Sequence, residues 1–155
     1  GAPHHVFHRP LRPRHQRKRR KARVREAMMA GHVVVSTGPQ LRASVGAALP
    51  GNTLEGPQHT FAVRVGGPSY VVPDEVRLIR NGEVVDVRPA EASAPVNGLW
   101  LETTFEIDET EDAWYVVETE GSSAMGHIWR GGTPYAMTGA FLVDVDGNGW
   151  QAPGL

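Results

Sequence analysis

The sequence contains no cysteine among its 155 residues, and this absence excludes two ways of holding a small fold together. A disulfide framework and a zinc site built from thiolates are both ruled out. Long apolar runs are missing as well, because no stretch approaches the roughly 20 residues that a membrane-spanning helix needs. Since 40% of the residues are apolar, the chain is long enough to bury a core as one domain.

The histidines lack the spacing of a catalytic metal site. No two of them are separated by a single residue, and no His-x-x-x-His pair is accompanied by a carboxylate. There is also no glycine-rich phosphate loop that ends in Lys-Ser or Lys-Thr. We therefore expect no preformed catalytic metal site at His4, His5, His8, His15, His32, His59 or His127.

The net charge of -1 hides a strong asymmetry along the chain. Residues 1–30 hold ten Lys and Arg against Glu26 alone, whereas the rest holds 6 basic and 16 acidic side chains. Residues 1–21 are interpreted as a basic arm or linker and residues 22–155 as the folded domain. The arm could bind a polyanion such as nucleic acid, a heparin-like polymer or an anionic membrane surface, or it could lie across the acidic body.

A short helix is predicted at residues 22–30, where good helix formers precede Gly31, a natural terminator. Val24, Ala27 and Met28 are spaced to form a narrow apolar stripe that could dock on the domain. Strands are predicted from residue 32 onward. Their ranges are His32 to Thr37, Leu41 to Val45, Thr60 to Val65, Glu75 to Arg80, Glu83 to Arg88, Leu99 to Ile107, Ala113 to Glu120, Met125 to Trp129 and Tyr135 to Val143.

Nine short strands with frequent turn signals indicate an all-β fold, an Ig-like antiparallel β-sandwich with a short N-terminal helix. Asn81-Gly82 predicts a type I′ hairpin, and the run Trp114 to Val117 is typical of a central strand or of an interface. Alternation of apolar residues selects the core positions. These are Phe61, Val63, Val65, Val76, Leu78, Leu99, Leu101, Phe105 and Ile107.

The best ligand signal is the segment from Asp144 to Gly149. Asp144, Asp146 and Asn148 supply oxygens at relative positions 1, 3 and 5 of a calcium loop, and Gly149 takes position 6. The bidentate Glu of such a loop would fall at Leu155, so other ligands would have to complete a Ca²⁺ site. The alternative is an ordinary turn in which Asp and Asn side chains bond to local backbone.

Two further groups of side chains have alternatives of their own. The acidic cluster could perform acid–base chemistry on a sugar, but it is interpreted as a solvated loop or a docking site for the basic arm. The four tryptophans could stack on carbohydrate or serve as core and interface anchors. The acidic residues are Glu106, Asp108, Glu109, Glu111 and Asp112, and the tryptophans are Trp100, Trp114, Trp129 and Trp150.

Five segments in the right order resemble a known family. They are Ala27 to Pro39, Leu49 to Thr53, Arg77 to Val85, Ala113 to Val117 and Phe141 to Gly149, and together they cover roughly residues 25–151. The sequence is similar there to the C-terminal β domain of CehA/McbA-like metallohydrolases, whose N-terminal part is a PHP (polymerase and histidinol phosphatase) barrel. Thr138-Gly139-Ala140 stands where an Asn-Pro pair is expected, and the polybasic arm has no counterpart in this pattern.

The resemblance implies that the metal ligands belong to the barrel, so this chain is expected to be non-catalytic. We take it as a piece of a larger secreted or periplasmic protein, since it begins Gly-Ala-Pro. Its predicted role is an accessory domain that packs on the barrel, and a parent that is itself non-enzymatic stays open. The alternative is a stand-alone structural subunit that assembles with itself or with other proteins, or that binds surfaces.

Overall fold

The computed structural model describes residues 14–126 and 128–154, and side chains from residue 20 onward. One helix is followed by ten strands. Their bounds are α1 Arg14–Met29, β1 Val34–Ser36, β2 Gln40–Ser44, β3 Thr53–Glu55, β4 Gln58–Gly66, β5 Glu75–Arg80, β6 Glu83–Pro89, β7 Leu99–Asp108, β8 Ala113–Glu120, β9 Tyr135–Thr138 and β10 Phe141–Asp144. No helix in this described part is long and apolar enough to cross a membrane.

The strands form two sheets, which confirms the predicted all-β sandwich with one N-terminal helix. In the larger sheet the pairing follows the path β1-β9-β8-β10-β3. The strand β8 also pairs with β5, and β5 pairs with the edge strand β6. The smaller sheet has the order β2-β4-β7. All pairs are antiparallel except β10 with β3, which run parallel. The strand β8 is therefore central, as the sequence predicts.

The core lies between the sheets and is built largely by alternation along the strands. Phe61, Val63 and Val65 on β4 are fully buried, and Phe105 on β7 is buried opposite Phe61. Phe141 meets Phe61 edge-on with ring centroids 5.1 Å apart. Aromatic edge-to-face packing of this kind adds to the stability that burial provides. Most predicted core residues are confirmed, with Leu101 and Ile107 partly buried against the cluster.

One predicted core residue is replaced by its neighbour. The register between β4 and β7 shifts at Gly66, which pairs with Leu99 while Val65 pairs with Leu101. The extra residue, Trp100, turns inward and is buried, whereas Leu99 is only half-buried. A β-bulge exchanges the faces of the strand at this point, and alternation alone does not predict where a bulge falls.

The helix differs from its prediction in length and in packing. It begins at Arg14 rather than at residue 22, so part of the predicted arm is helical, while residues 1–13 lie outside the described part. Val24 and Met28 are 60% and 65% exposed, so the predicted apolar stripe does not dock on the domain. The stripe is narrow, and helix propensity with Gly31 at the end accounts for the helix without it.

Three strand predictions are corrected by the structure. The short strand β3 was not predicted, and the predicted strand from Met125 to Trp129 forms turns instead, with His127 outside the described residues. The predicted strand from Tyr135 to Val143 divides at Gly139, between β9 and β10. The backbone N–H of Gly139 donates to the carbonyl of Val33 at 2.7 Å, and this bond ties the break to the segment before β1.

Candidate functional site

The predicted calcium loop lies at the end of β10, and a residue from another loop joins it. One carboxylate oxygen from each of Asp112, Asp144 and Asp146 lies within 4.8 Å of the others, the single group of this kind in the described part of the chain. Asp112 comes from the loop between β7 and β8, where the sequence shows an acidic cluster but no ligand spacing. Asp112 directly precedes β8, and β8 pairs with β10, so Asp112 comes close to the loop that follows β10. Sequence spacing does not reveal this pairing.

Backbone amides already bond to these carboxylates. Asp144, which is buried, accepts from the N–H groups of Gly147 at 2.9 Å and Gly149 at 2.8 Å. Asp112 accepts from Val145 at 3.0 Å and Gln151 at 2.7 Å. These bonds are those of a turn closed by Asp side chains. Each oxygen keeps further lone pairs, so the donor set also suits a hard cation such as Ca²⁺.

Asn148 is oriented differently from the predicted ligand arrangement. Its side-chain amide nitrogen donates to Asp146 at 2.7 Å, and its oxygen accepts from Gln151 at 3.3 Å. The structure therefore brings Asp144 and Asp146 together with Asp112, while the oxygen of Asn148 is engaged elsewhere. Calcium binding stays a prediction at Asp144, Asp146 and Asn148.

The acidic cluster after β7 is not a uniformly solvated loop, because Glu109 is buried with 8% of its surface exposed. Arg80 donates to both of its oxygens, from Nε at 2.7 Å and from Nη2 at 2.9 Å. Tyr115 donates its hydroxyl proton to the same carboxylate. Arg80 thereby lowers the pKa of Glu109, while burial and the adjacent carboxylate raise the pKa of Tyr115 above its usual range.

The contacts among Arg80, Glu109 and Tyr115 are typical of a stabilising ion pair and not of a catalytic site. Glu109 stays ionised and fully paired, Tyr115 stays neutral, and neither is poised near neutral pH as a general acid or base would be. Glu111, the second partner of Arg80 at 3.3 Å, is exposed. The cluster therefore contains an ion pair in which Glu109 is buried and Arg80 is partly exposed.

Part of the outer face of the larger sheet is apolar. Val116 on β8 points outward yet keeps only 8% exposure, and Ile79 is its cross-strand neighbour on β5. Val84 and Val87 on the edge strand β6 are 52% and 40% exposed, and Val35 on β1 is 62% exposed. Alternation places four more side chains on this face, all partly exposed. They are Ile79, Trp114, Met137 and Leu142.

A charged row crosses this face, because Arg77 and Glu118 lie between Val87 and Met137 in the strand register. Arg77 contacts Glu75 and Glu120 and lies 3.4 Å from Glu118. The hydroxyl of Tyr135 donates to Glu118 at 2.8 Å, and burial beside that carboxylate raises the pKa of Tyr135 to about 12. Protein–protein interfaces combine apolar and charged side chains in this way, and Arg is enriched in them.

A groove of about 910 Å³ lies against the smaller sheet. Arg64 and Glu102 pair across it at 2.8 Å, Arg42 is the cross-strand neighbour of Arg64, and Leu49 and Pro50 form part of the wall. His32 also lines this groove. Arg64, Glu102 and Arg42 are exposed, and Arg64 and Glu102 pair with each other.

The remaining predicted candidates are scattered. His59 lies 2.9 Å from the carbonyl of Gly56, and His32 has a buried Nε2 with no partner among the described residues. Trp100 is buried and Trp129 is half-exposed, whereas the indole N–H of Trp150 donates to Ala113 at 3.0 Å. The tryptophans do not form one stacking surface for carbohydrate. They divide between core, sheet face and loop.

Comparisons with known proteins assign no family to this chain. No family model matches the sequence, and no curated protein matches it. A crystal structure of an engineered protein is similar over 68% of this chain, with 19% identity and a TM-score of 0.40. The match covers 20% of that protein's chain.

Proposed function

We propose that this chain is a non-catalytic accessory domain that packs on another domain through the outer face of its larger sheet. The observation that carries the proposal is the apolar row on this face, in which the exposed Val84 lies beside Ile79 and the buried Val116. A free-standing sandwich usually alternates apolar residues inward and polar residues outward, whereas buried sheet faces are apolar on both sides. The outer face of this sheet has the composition of a covered surface.

The partner we propose is a PHP-type barrel within a larger metallohydrolase-like protein. Its support is the resemblance of residues 25–151 to the C-terminal domain of such proteins. In this arrangement the barrel would hold the metal and perform the chemistry. The sandwich would orient the barrel or cover its mouth.

A charge on the apolar part of the face tests the proposed contact. Val84→Glu should break the packing because a carboxylate would be buried without a partner. Amide hydrogen exchange on β6 in the native protein should then be at least about tenfold faster than in the wild type. Thr104→Glu is the matched control, since it adds the same charge to an exposed site on the smaller sheet. Equal exchange in the two variants would contradict the proposal.

The second candidate is a stand-alone subunit that assembles with itself. The edge strand β6 favours it, because β6 pairs only with β5 and exposes Val84, Val85 and Val87. Such an edge can accept another strand. Light scattering distinguishes this candidate, since self-assembly requires a mass that rises with concentration, and a strictly monomeric protein at high concentration would count against it.

A further inference from the structure

Three of the four asparagines in the sequence directly precede a glycine. These pairs are Asn81-Gly82, Asn97-Gly98 and Asn148-Gly149. Asparagine is a chemically labile residue, and a following glycine increases the lability because it has no Cβ to shield its backbone nitrogen from the Asn side chain. The dipeptide is the same in all three pairs, so their surroundings in the fold decide which of them reacts.

Asn81 is held against the central strand β8. Its backbone N–H donates to the carbonyl of Trp114 at 3.0 Å, and its side-chain oxygen accepts from the N–H of Trp114 at 2.9 Å. The β5–β6 ladder begins directly beside the turn, where Arg80 pairs with Glu83. Rotation of the Asn81 side chain toward Gly82 would leave the partly buried N–H of Trp114 without its partner, which costs free energy. The fold therefore protects this pair.

Asn148 is held at both of the groups that would react. Its side-chain nitrogen donates to Asp146 at 2.7 Å, and its side-chain oxygen accepts from Gln151 at 3.3 Å. The backbone N–H of Gly149 donates to the carboxylate of Asp144 at 2.8 Å, so the attacking nitrogen is engaged as well. The negative charge of Asp144 also opposes the loss of a proton from that nitrogen. This pair is protected by its hydrogen bonds.

Asn97 lacks both kinds of restraint. It is exposed and forms a two-residue turn with Gly98, with φ values of 53° and 78°. Two backbone hydrogen bonds of 2.9 Å join Val96 to Leu99, but this bridge is isolated, and Pro95 cannot donate a further ladder bond. Neither the side chain of Asn97 nor the N–H of Gly98 has a hydrogen-bond partner among the described residues. So short and exposed a pairing opens at a low free-energy cost.

We propose that Asn97 is a site of spontaneous deamidation and that it reacts ahead of the other two asparagines. After the turn opens, the backbone nitrogen of Gly98 gives up its proton to a base in the solvent and forms a bond to the side-chain carbon Cγ of Asn97. The amide group leaves Cγ, takes up a proton and departs as ammonia. Water then opens the resulting succinimide ring at either carbonyl, and the product is aspartate or isoaspartate.

The modification changes the loop between β6 and β7. Either product adds a carboxylate, and isoaspartate also lengthens the backbone by one carbon, so the turn can no longer keep both bonds between Val96 and Leu99. The carbonyl of Gly98, which accepts from Gly67 at 2.9 Å, belongs to the same turn. Leu99 pairs with Gly66 in the smaller sheet, so the proposal does not depend on the packing face of the larger sheet.

Incubation of the native, full chain in mildly alkaline buffer tests the proposal. Peptide mapping by mass spectrometry then measures the amide-to-acid conversion at each of the three pairs. Asn97 should convert at least about tenfold faster than Asn81 and Asn148, because only its turn opens easily. The same incubation in concentrated urea is the control. The three rates should then agree within about threefold, because the dipeptides are identical and the fold no longer distinguishes them.

A pair of variants checks the assignment by a second readout. In ion-exchange chromatography of the aged protein, Asn97→Gln should remove the first acidic form to appear. Asn148→Gln is the matched control, since Asn148 is also exposed and precedes a glycine, and it should leave that form unchanged. The proposal is overturned if Asn97 in the native chain converts no faster than the other two, if urea preserves the difference, or if Asn97→Gln still gives the acidic form at the wild-type rate.

Discussion

At the scale of single residues, Glu109 shows how burial changes the meaning of an acidic side chain. It is 8% exposed and receives both Arg80 and Tyr115. Glu109→Gln removes the charge that holds Arg80, so the free energy of unfolding should fall by about 2 kcal/mol in urea denaturation. Glu111→Gln, at an exposed partner of the same arginine, should change it by less than about 0.5 kcal/mol. Equal effects would contradict a buried pair.

The same residue gives the stability a pH dependence. Because the folded protein lowers the pKa of Glu109, its contribution is present above its unfolded pKa of about 4.3 and is lost as the pH falls. Tyr115 has a raised pKa, so its contribution is present below about pH 10 and is lost as the pH rises. The unfolding free energy of Glu109→Gln should decline less steeply in acid than that of the wild type.

The predicted calcium binding depends on the side chains of Asp144 and Asp146. If Ca²⁺ binds at Asp144 and Asp146, millimolar calcium raises the midpoint of thermal unfolding, because a ligand of the folded state stabilises it. Asp146→Asn, at an exposed position, should abolish the rise without unfolding the protein. A wild-type midpoint that does not shift at millimolar calcium would retire the hypothesis and leave the turn interpretation.

At the scale of elements, Gly31, Gly51 and Gly139 allow three backbone segments to come into direct contact. A Cβ on Gly51 would lie 1.9 Å from the carbonyl oxygen of Ala30 and 2.8 Å from Cα of Gly31. A Cβ on Gly139 would lie 2.4 Å from the carbonyl oxygen of Gly31. The backbones of the segments before β1 and β3 and between β9 and β10 therefore touch directly. This contact gives a physical reason for glycine at position 139.

Substitution of Gly51 tests the importance of this close backbone contact. Gly51→Ala should lower the free energy of unfolding by about 3 kcal/mol or more, because the added carbon meets backbone that cannot move aside. Gly56→Ala is the matched control, since its φ of 93° almost equals the 94° of Gly51 while nothing lies within 4 Å. The control should lose only the cost of a positive φ, about 1 to 2 kcal/mol. Equal losses would show that close packing is unimportant there.

How far the elements follow from the sequence depends on which interactions form them. Alternation and Asn81-Gly82 predict β5, β6 and the hairpin correctly, because those signals are local, and both residues have the positive φ that the turn requires. The division at Gly139 and the short β3 depend on contacts between distant segments. In the broken stretch the hydroxyl of Thr138 accepts from the N–H of Val117 at 3.1 Å in place of a ladder bond.

The candidate sites show the same limit. The turn from Asp144 to Gly149 is visible as spacing, but Asp112 joins it only through the tertiary fold. The apolar outer face could be anticipated in part from Trp114 to Val117, which is apolar on both sides. That β6 leaves its valines uncovered depends on its position at the sheet edge, which register and order determine.

At the scale of the whole molecule, the charge asymmetry and the uncovered surfaces are connected. The helix α1 is basic, whereas residues 31–155 hold 6 basic and 16 acidic side chains. Four of the body's arginines, Arg64, Arg77, Arg80 and Arg88, already pair with carboxylates. The acidic excess therefore stays at the surface, and the apolar outer face of the larger sheet is the surface best suited to another domain.

The intact mass of the native, undigested protein, taken together with its metal content, tests the accessory-domain proposal most directly. The account predicts a mass far above the 16.9 kDa of this chain, with bound transition metal held by a barrel that is continuous with the sandwich. A mass that matches this chain, with no transition metal, would contradict it. The domain would then work alone, through assembly or surface binding.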